Sequence, residues 1–252
     1  MWEIYDALIS AIPEDSVVSA CLAGLSWFLV RSQGAGVAMR PREGAEVVPN
    51  AGKLAGMKTR DLAAGIKSWN LYEAALGLAA INSVLNAPDT VRRNCGPLLD
   101  ETSDVDVFAN LLDELRGKRV AVIGHFYNLE RIRSACELSI LERRPEPGDW
   151  PDPACEYILP DQDVVIMTAT TLINKTMPRL LELSRNARIV VAGPSTPLTP
   201  ILLEHGIDVL GGLIVEDEDR VWKTVGEGAQ HQLFTSGSHM VKVAKTMPVQ
   251  LA

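Results

Sequence analysis

The sequence lacks the patterns that would place the protein in a membrane or outside the cell. No apolar run approaches the roughly 18 residues that a membrane span needs. The first residues, Met-Trp-Glu-Ile-Tyr-Asp, lack the basic segment that opens a secretory signal. The four cysteines are scattered and form no Cys-x-x-Cys pair, so we expect free thiols in a reducing compartment. These features predict a cytoplasmic protein with no membrane partner.

Basic charge is also scarce. The chain has 24 Lys and Arg residues against 32 Asp and Glu residues, which gives a net charge of −8. Binding to nucleic acid needs a basic face, so we expect no nucleic-acid partner. With 47% hydrophobic and 22% charged residues, the composition is typical of a globular protein, and 252 residues suffice for one large or two small domains.

The segment 119–132 organises the rest of the chain. Its continuous apolar run, Val120–Ile123, suits a strand that is buried on both faces of a parallel sheet. Gly124 and His125 follow, and then a helical pattern begins, as at the opening of a doubly wound α/β unit. The turn has one glycine, so the Gly-x-Gly-x-x-Gly fingerprint is absent and ordinary NAD binding is disfavoured. Ligands of such sheets bind beyond the carboxyl ends of the strands, which makes Gly124–His125 one wall of a predicted site.

Two patterns divide the chain near residue 104. The first part is α+β. It has a helix over 2–12, strands over Val17–Leu22, Trp27–Val30 and Ala35–Met39, a short helix ending at Ile66, a long helix capped by Ser68 and ended by Pro88, and a connection over 89–103. The second part alternates strands and helices, which predicts a mostly parallel sheet. Ser103 caps a helix through Leu115, strands cover Val120–Ile123, Leu138–Leu141, Val164–Met167, Ile189–Ala192 and Val209–Val215, and helices lie near 128–136, 177–185, 199–205 and 217–226. The predicted fold class is α/β: a mostly parallel sheet domain preceded by a smaller α+β domain.

The loops after the predicted parallel strands carry most of the small and polar residues. The candidates, in the order of the strands that they follow, are His125; Glu142; Thr170, Thr171, Asn174 and Lys175; and Gly193, Ser195 and Thr196. Because the carboxyl ends of parallel strands meet at one edge of a sheet, we expect these ligand-binding candidates to converge.

Each candidate has a functional and a structural interpretation. His125 could be a general base, a metal ligand or a hydrogen-bonded wall residue. Glu142 lies eighteen residues past Gly124, where a nucleotide-binding protein places the acid that bonds a ribose, although a solvated carboxylate has the same pattern. Thr176 is predicted to cap the next helix, an arrangement that attracts anions, and Lys175 adds charge.

Metal-ligand spacing is not visible in the sequence. The remaining histidines, His205, His231 and His239, are not spaced as metal ligands. A metal would therefore be bound by residues that the fold assembles, or it would arrive already chelated by a small molecule.

In the first part, Asn70 and Glu73 lie three residues apart at a helix start and so share one face. If this helix end packs on the sheet edge, both side chains face His125, and Trp69 forms a wall. Glu73 and His125 would then be the acid–base pair, and Asn70 would bind the ligand.

Several motifs together resemble a known family. They include Lys67-Ser-Trp-Asn-x-x-Glu-Ala, Gly-Leu-Ala-Ala-Ile-Asn82, Val-x-Val-Ile-Gly-His-Phe126, Leu-Ser-Ile-Leu-Glu142 and Gly-Pro-Ser-Thr-Pro-Leu198. They resemble the DUF364 proteins, also called putative heavy-metal chelation proteins, whose N-terminal part is the DUF4213 domain. The resemblance implies an enolase-N-terminal-like domain over 1–103 and a Rossmann-like domain over 104–252, with a ligand-binding cleft between them. Residues that match the family's cleft motifs are Asn70, Glu73, His125, Glu142, Thr170, Asn174 and the loop 193–197.

The resemblance implies a small polar ligand, such as a pterin-, flavin- or siderophore-like chelator, and a metal ion or metal chelate as the associated group. Three hypotheses follow. The protein condenses or hydrolyses the ligand, or it is a non-catalytic carrier of a metal chelate, or it is a nucleotide-dependent, methyltransferase-like enzyme that uses Glu142 to bind ribose. An acidic chain with exposed apolar helices is also compatible with a homodimer.

Overall fold

A computed structural model of the protein describes residues 2–44, 47–101, 107–126 and 128–245. Up to residue 95, the described chain forms three antiparallel strands and the helices that cover them. The elements are α1 (Glu3–Ser10), β1 (Ala20–Ala23), β2 (Trp27–Arg31), β3 (Ala35–Met39), α2 (Thr59–Ala64), α3 (Leu71–Leu85) and α4 (Pro88–Cys95).

From residue 99 onwards, the chain forms an eight-stranded sheet and its connecting helices. The elements are β4 (Leu99–Asp100), α5 (Val107–Leu115), β5 (Arg119–Ile123), α6 (Glu130–Arg133), β6 (Glu137–Glu142), β7 (Trp150–Pro151), α7 (Cys155–Ile158), β8 (Val164–Thr168), α8 (Thr170–Ile173), α9 (Met177–Leu183), β9 (Arg188–Ala192), α10 (Pro200–Glu204), β10 (Val209–Val215), α11 (Glu218–Gly226) and β11 (Ser238–Ala244).

The large sheet has the strand order β4-β11-β10-β9-β8-β5-β6-β7. All neighbours from β10 to β7 are parallel, whereas β11 is antiparallel to both β10 and β4. The α/β class with a mostly parallel sheet is thus confirmed, and the five predicted strands correspond to β5, β6, β8, β9 and β10. Val120–Ile123 is buried throughout, as expected for a strand that is covered on both faces.

Three local predictions were wrong. Val17 and Val18 pair with Lys58 and Met57 outside the meander, so β1 begins only at Ala20. The side chain of Asn70, and not that of Ser68, caps α3. The predicted connection over 89–103 contains α4, which Pro88 opens at its first turn, a position that suits proline because it needs no N–H donor.

Thr176 is the N-cap residue of α9, as predicted, but its hydroxyl donates to Asn174 Oδ1 and makes no capping hydrogen bond to the helix. The predicted cap of α5, Ser103, lies outside the described residues.

The buried helix α3 is the centre of the first part. Its small residues let β3 pack against it at backbone contact: a Cβ added at Gly36 would lie 2.1 Å from both Ala79 O and Ser83 N. The largest hydrophobic cluster also joins both parts of the chain, since it includes Phe28 and Leu78 together with Val191 of β9. The two parts therefore share one core, and the domain boundary near residue 104 stays a prediction.

Two buried asparagines join α3 to the loop 193–198. Asn82 lies within the helix, and Asn86 is its C-cap residue. Asn82 Nδ2 donates to Ser195 O at 3.0 Å. Asn86 Nδ2 donates to Thr196 O at 2.9 Å and to Leu213 O at 3.3 Å, and Asn86 Oδ1 accepts from Leu198 N at 2.7 Å. These side chains satisfy backbone groups that would otherwise be buried without partners.

Across the described ranges, no helix combines the length and the apolar character that crossing a bilayer would require.

Candidate functional site

The carboxyl ends of three adjacent strands, β6, β5 and β8, place Glu142, His125 and Thr168 along one rim of the large sheet. Gly124 makes the turn into this rim with φ +99°, a conformation that L side chains rarely adopt. A Cβ at Gly124 would also lie 3.0 Å from Thr168 Cγ2. The turn therefore requires glycine, and it brings the β5 and β8 loops into contact.

His125 is held by a carboxylate that the sequence did not indicate. Its Nε2 lies 2.8 Å from Asp149 Oδ2, and Asp149 Oδ2 also accepts from Glu146 N at 2.9 Å. The Asp149 side chain is only 5% exposed, whereas that of His125 is 39% exposed. An ionised carboxylate only accepts hydrogen bonds, so Nε2 carries the proton in the neutral ring and Nδ1 carries the lone pair. This pairing suits a general base or a ligand of a metal.

The carboxylate of Glu142 is engaged by three backbone N–H groups. Its Oε2 accepts from His125 N at 3.0 Å, and its Oε1 accepts from Arg143 N at 2.7 Å and from Arg144 N at 3.3 Å. Glu142 therefore ties the loop after β5 to the loop after β6. This geometry gives it a positioning role beside His125.

The threonine-rich loop after β8 bonds mostly to itself. Thr170 N and Oγ1 lie 3.3 Å and 3.2 Å from Thr168 Oγ1, and Thr171 Oγ1 donates to Thr168 O at 2.7 Å. Asn174 Oδ1 accepts from Thr176 N at 3.1 Å and from its hydroxyl at 2.7 Å. Thr171 is buried, whereas Thr170 and Asn174 are half-buried, so a ligand could reach Thr170 and Asn174 but not the Thr171 side chain.

Lys175 joins this loop to the start of α3. It is buried with φ +66°, and its Nζ donates to Ile173 O at 2.7 Å and to Ser68 O. Burial lowers the pKa of Lys175 to about 8, and the nearby Glu73 carboxylate partly opposes this shift. The exposed ring of Trp69 lies 5.7 Å from Nζ.

Asn70 and Glu73 lie at the start of α3, the helix end that Lys175 contacts through Ser68 O. Asn70 Oδ1 accepts from Tyr72 N at 3.0 Å and from Glu73 N at 3.4 Å, and its Nδ2 donates to Val47 O at 3.1 Å. Glu73 lines a cavity of about 110 Å³ together with Asp61 and Gly65. The structure thus brings Glu73 close to Lys175, while the carboxylate bonded to His125 is Asp149.

The loop after β9 packs into the core. Ser195 Oγ accepts from Met39 N at 2.8 Å, and Ser195 and Thr196 are both buried. Gly193 is half-buried, turns with φ +119° and donates to Gly211 O at 3.0 Å. The side chains of Ser195 and Thr196 therefore lie at the junction with the first part of the chain.

The donor set does not fit a metal ion held by the protein alone. Among the residues that the structure describes, no group of three or more His, Cys, Asp and Glu side chains is placed to hold a metal. All four cysteines are free, and burial raises the pKa of Cys95 to about 11 and that of Cys155 to about 12. Buried thiols of this kind are poor thiolate ligands. The His125–Asp149 pair could supply two ligands at most.

Sequence reasoning missed Asp149, Arg143 and Arg144, which complete the rim around His125 and Glu142. We call these five residues the rim cluster. The local signal was a Pro-Gly turn, Glu146-Pro-Gly-Asp149, soon after a predicted strand. That signal indicates a turn, but it does not indicate the partner of the aspartate, since 24 residues separate Asp149 from His125.

The two sheets and the polar rim define a mixed α/β protein whose exposed histidine lies at the carboxyl ends of parallel strands. The chain belongs to the DUF364 family. The sequence profile of this family, described as "Putative heavy-metal chelation", matches residues 106–244. The DUF4213 profile carries the same description and matches residues 5–85.

Two solved structures have the same fold. A DUF364-family protein of unknown function from Desulfitobacterium hafniense is 40% identical, with a TM-score of 0.90, and the match covers 97% of this chain and 99% of that one. A second one, from Pyrococcus horikoshii, is 22% identical with a TM-score of 0.80, and the match covers 96% and 98% of the two chains. The second likeness concerns the fold alone.

An uncharacterized protein of Methanocaldococcus jannaschii is 26% identical over 180 residues, which is 68% of this chain and 66% of that protein. The match thus spans slightly less than two thirds of this relative.

Proposed function

We propose that the protein binds a small polar metabolite at the rim cluster, and that this metabolite carries a heavy metal as its cargo. The observation that supports this most is the pair formed by His125 and Asp149. A half-exposed imidazole held at 2.8 Å by a nearly buried carboxylate is oriented for contact with a ligand. Holding it in this way lowers the entropic cost of binding.

A chelated metal fits this rim better than a free ion does. Structural metal sites usually have about four protein ligands and catalytic sites about three. The rim supplies at most two, so the other donors would come from an organic chelator, for example one that is pterin-, flavin- or siderophore-like. In this arrangement the protein binds the organic part, and Nδ1 of His125 contacts either the chelator or its metal.

The accompanying architectural proposal is an interdomain site. Residues 1–103 would form an enolase-N-terminal-like domain and residues 104–252 a Rossmann-like domain, with a cleft between them. The antiparallel meander and its helices support the first part, and the alternation of parallel strands and helices supports the second. Arg144 Nη2 donates to Arg42 O at 3.3 Å, which joins the rim cluster to the first part.

There are two candidates for what the protein does with the bound metabolite: it condenses or hydrolyses the metabolite, or it is a non-catalytic carrier. The surroundings of Glu73 favour the carrier. An enzyme that condenses or hydrolyses the ligand needs an acid and a base beside the reacting atoms. Glu73 lines its own cavity with Asp61 and Gly65, and its charge acts on Lys175. His125 would then be a binding group and not half of an acid–base pair.

The test is native mass spectrometry with elemental analysis of freshly purified protein, for wild type and for His125→Ala. We expect wild type to carry a small-molecule mass together with a metal, and His125→Ala to lose both. The matched control is His205→Ala, because His205 bonds to Ile201 O within its own helix and lies outside the rim. A wild-type protein without such a mass, or a His125→Ala variant that retains it, would contradict the proposal.

Incubation of wild type with the identified molecule separates the two candidates. Conversion of the molecule would indicate an enzyme. Unchanged molecule after prolonged incubation with wild type would indicate a carrier.

A further inference from the structure

The loop that follows β3 contributes a carboxylate to the rim cluster. Glu43 Oε1 lies 2.9 Å from Arg144 Nε, and Glu43 Oε2 lies 3.4 Å from Arg143 Nη2. Each oxygen therefore pairs with a different guanidinium, and the partners are about one hundred residues apart in the chain. Guanidinium groups also bind carboxylate and phosphate groups of ligands through charge-assisted contacts.

The two arginines are positioned by the same group that positions His125. Their backbone N–H groups donate to Glu142 Oε1, while Glu142 Oε2 accepts from His125 N. One carboxylate thus holds the backbone at His125, Arg143 and Arg144 together. Two of the nearby carboxylates are engaged, because Glu142 accepts backbone N–H groups and Asp149 pairs with His125. A third, that of Glu146, is 73% exposed and lies 4.0 Å from His125 Nε2.

Solvent reaches this ion pair. The side chains of Arg143, Arg144 and Glu43 are 44%, 59% and 36% exposed. Exposed pairs of this kind contribute little to stability, so an external anion can replace Glu43 at small cost.

We infer that Arg143 and Arg144 form an anion subsite of the rim, and that Glu43 occupies it as an internal competitor until a ligand carboxylate or phosphate replaces it. The inference rests on the proposed function for the identity of the site, and it adds the chemical class of the ligand. The metabolite would be an anion that carries a carboxylate or a phosphate group beside the part that contacts His125.

The test uses two probes, citrate and inorganic phosphate, titrated into the full-length protein by isothermal calorimetry at low ionic strength, where charge interactions are least screened. We expect Glu43→Gln to bind the preferred probe roughly two- to fivefold more tightly than wild type, since an exposed competing pair is removed. We expect Arg143→Gln/Arg144→Gln to lose at least about tenfold in affinity, because two charge-assisted donors are lost. Arg144→Gln alone serves as a milder second variant.

The matched control is Glu156→Gln. Glu156 pairs with Arg179 at 2.9 Å and 2.6 Å, is similarly exposed, and its replacement changes the net charge by the same amount. Its affinity for either probe should equal that of wild type. Tighter binding to citrate alone assigns a carboxylate ligand, and tighter binding to phosphate alone assigns a phosphorylated one.

Equal tightening in Glu43→Gln and Glu156→Gln would reduce the effect to net charge and overturn the inference. Failure of both probes to bind Glu43→Gln would overturn it too. These outcomes are independent of the mass that co-purifies with wild type. A protein without that mass but with the expected anion affinities would refute the proposed function and leave the anion subsite standing.

Discussion

Asn86→Ala should strongly destabilise the protein, because this side chain joins the first part of the chain to the loop 193–198. It makes three hydrogen bonds to buried backbone groups, at 2.7, 2.9 and 3.3 Å. Each bond contributes roughly 1 kcal/mol net, and a buried partner left unpaired costs about 1 to 3 kcal/mol. The expected loss in the free energy of unfolding is therefore about 3 to 5 kcal/mol, a large share of the usual total of about 5 to 15 kcal/mol.

The assay is urea unfolding, followed by tryptophan fluorescence and by far-ultraviolet circular dichroism. Asn86 has φ −99° and ψ 7°, so alanine brings no backbone strain at this position. The matched control is Asn94→Ala, at an exposed position of α4, and it should change the free energy of unfolding by no more than about 0.5 kcal/mol. A loss below about 1 kcal/mol in Asn86→Ala, or one equal to that of the control, would refute the view that this side chain joins the two parts.

Two more predictions concern packing and pH. Gly36→Ala places a Cβ 2.1 Å from the backbone of α3, so it should lower the free energy of unfolding by about 3 kcal/mol or more in thermal or urea unfolding. The control Gly96→Ala should be nearly neutral, because a Cβ at that position has nothing within 4 Å. Comparable losses in both variants would be inconsistent with the packing argument. The pKa of Lys175 falls from 10.5 to about 8 on folding, so the unfolded chain binds more protons between these pH values. The free energy of unfolding should therefore rise with pH in this range, by at most about 3 kcal/mol relative to Lys175→Met. Urea unfolding of both proteins at several pH values measures this difference, and a flat or falling difference would contradict the burial of the ammonium group.

Hydrophobic pattern predicted the large sheet because its strands are buried on both faces. Apolar runs such as Val120–Ile123 need no partner information to be recognised. By contrast, β11 was absent from the predicted strands, since Ser238, His239 and Lys242 interrupt its apolar residues and its burial alternates along most of its length. An antiparallel strand with one partly exposed face gives a weaker signal than a buried parallel one.

Local capping signals were ambiguous where two suitable residues lie close together. Ser68 and Asn70 both favour the N-cap, and the tertiary contact of Ser68 O with Lys175 Nζ accompanies the choice of Asn70. In the same way, Pro88 follows the end of α3 as predicted but also opens α4. The sequence shows which residues can cap, end or open a helix, whereas long-range contacts determine which of them does so.

The candidate site was predictable in place but not in pairing. Parallel order alone brings the loops after β5, β6 and β8 to one rim, which is why His125 and Glu142 could be named in advance. The contact of Asp149 with His125 depends on how the loop after β6 returns, and the contact of Glu43 with Arg144 depends on the other part of the chain. Neither contact produces a periodic pattern in the sequence.

The two edge strands of the large sheet are very short. They are β4 and β7, each of two residues, and β7 includes Pro151, which has no N–H to donate. A foreign strand that adds to β4 or β7 would find only two residues of backbone to pair with, so growth into fibrils through these two strands is disfavoured. At the high concentrations of a crowded cell, the short edge strands should hinder neighbouring molecules from pairing their sheets through β4 or β7.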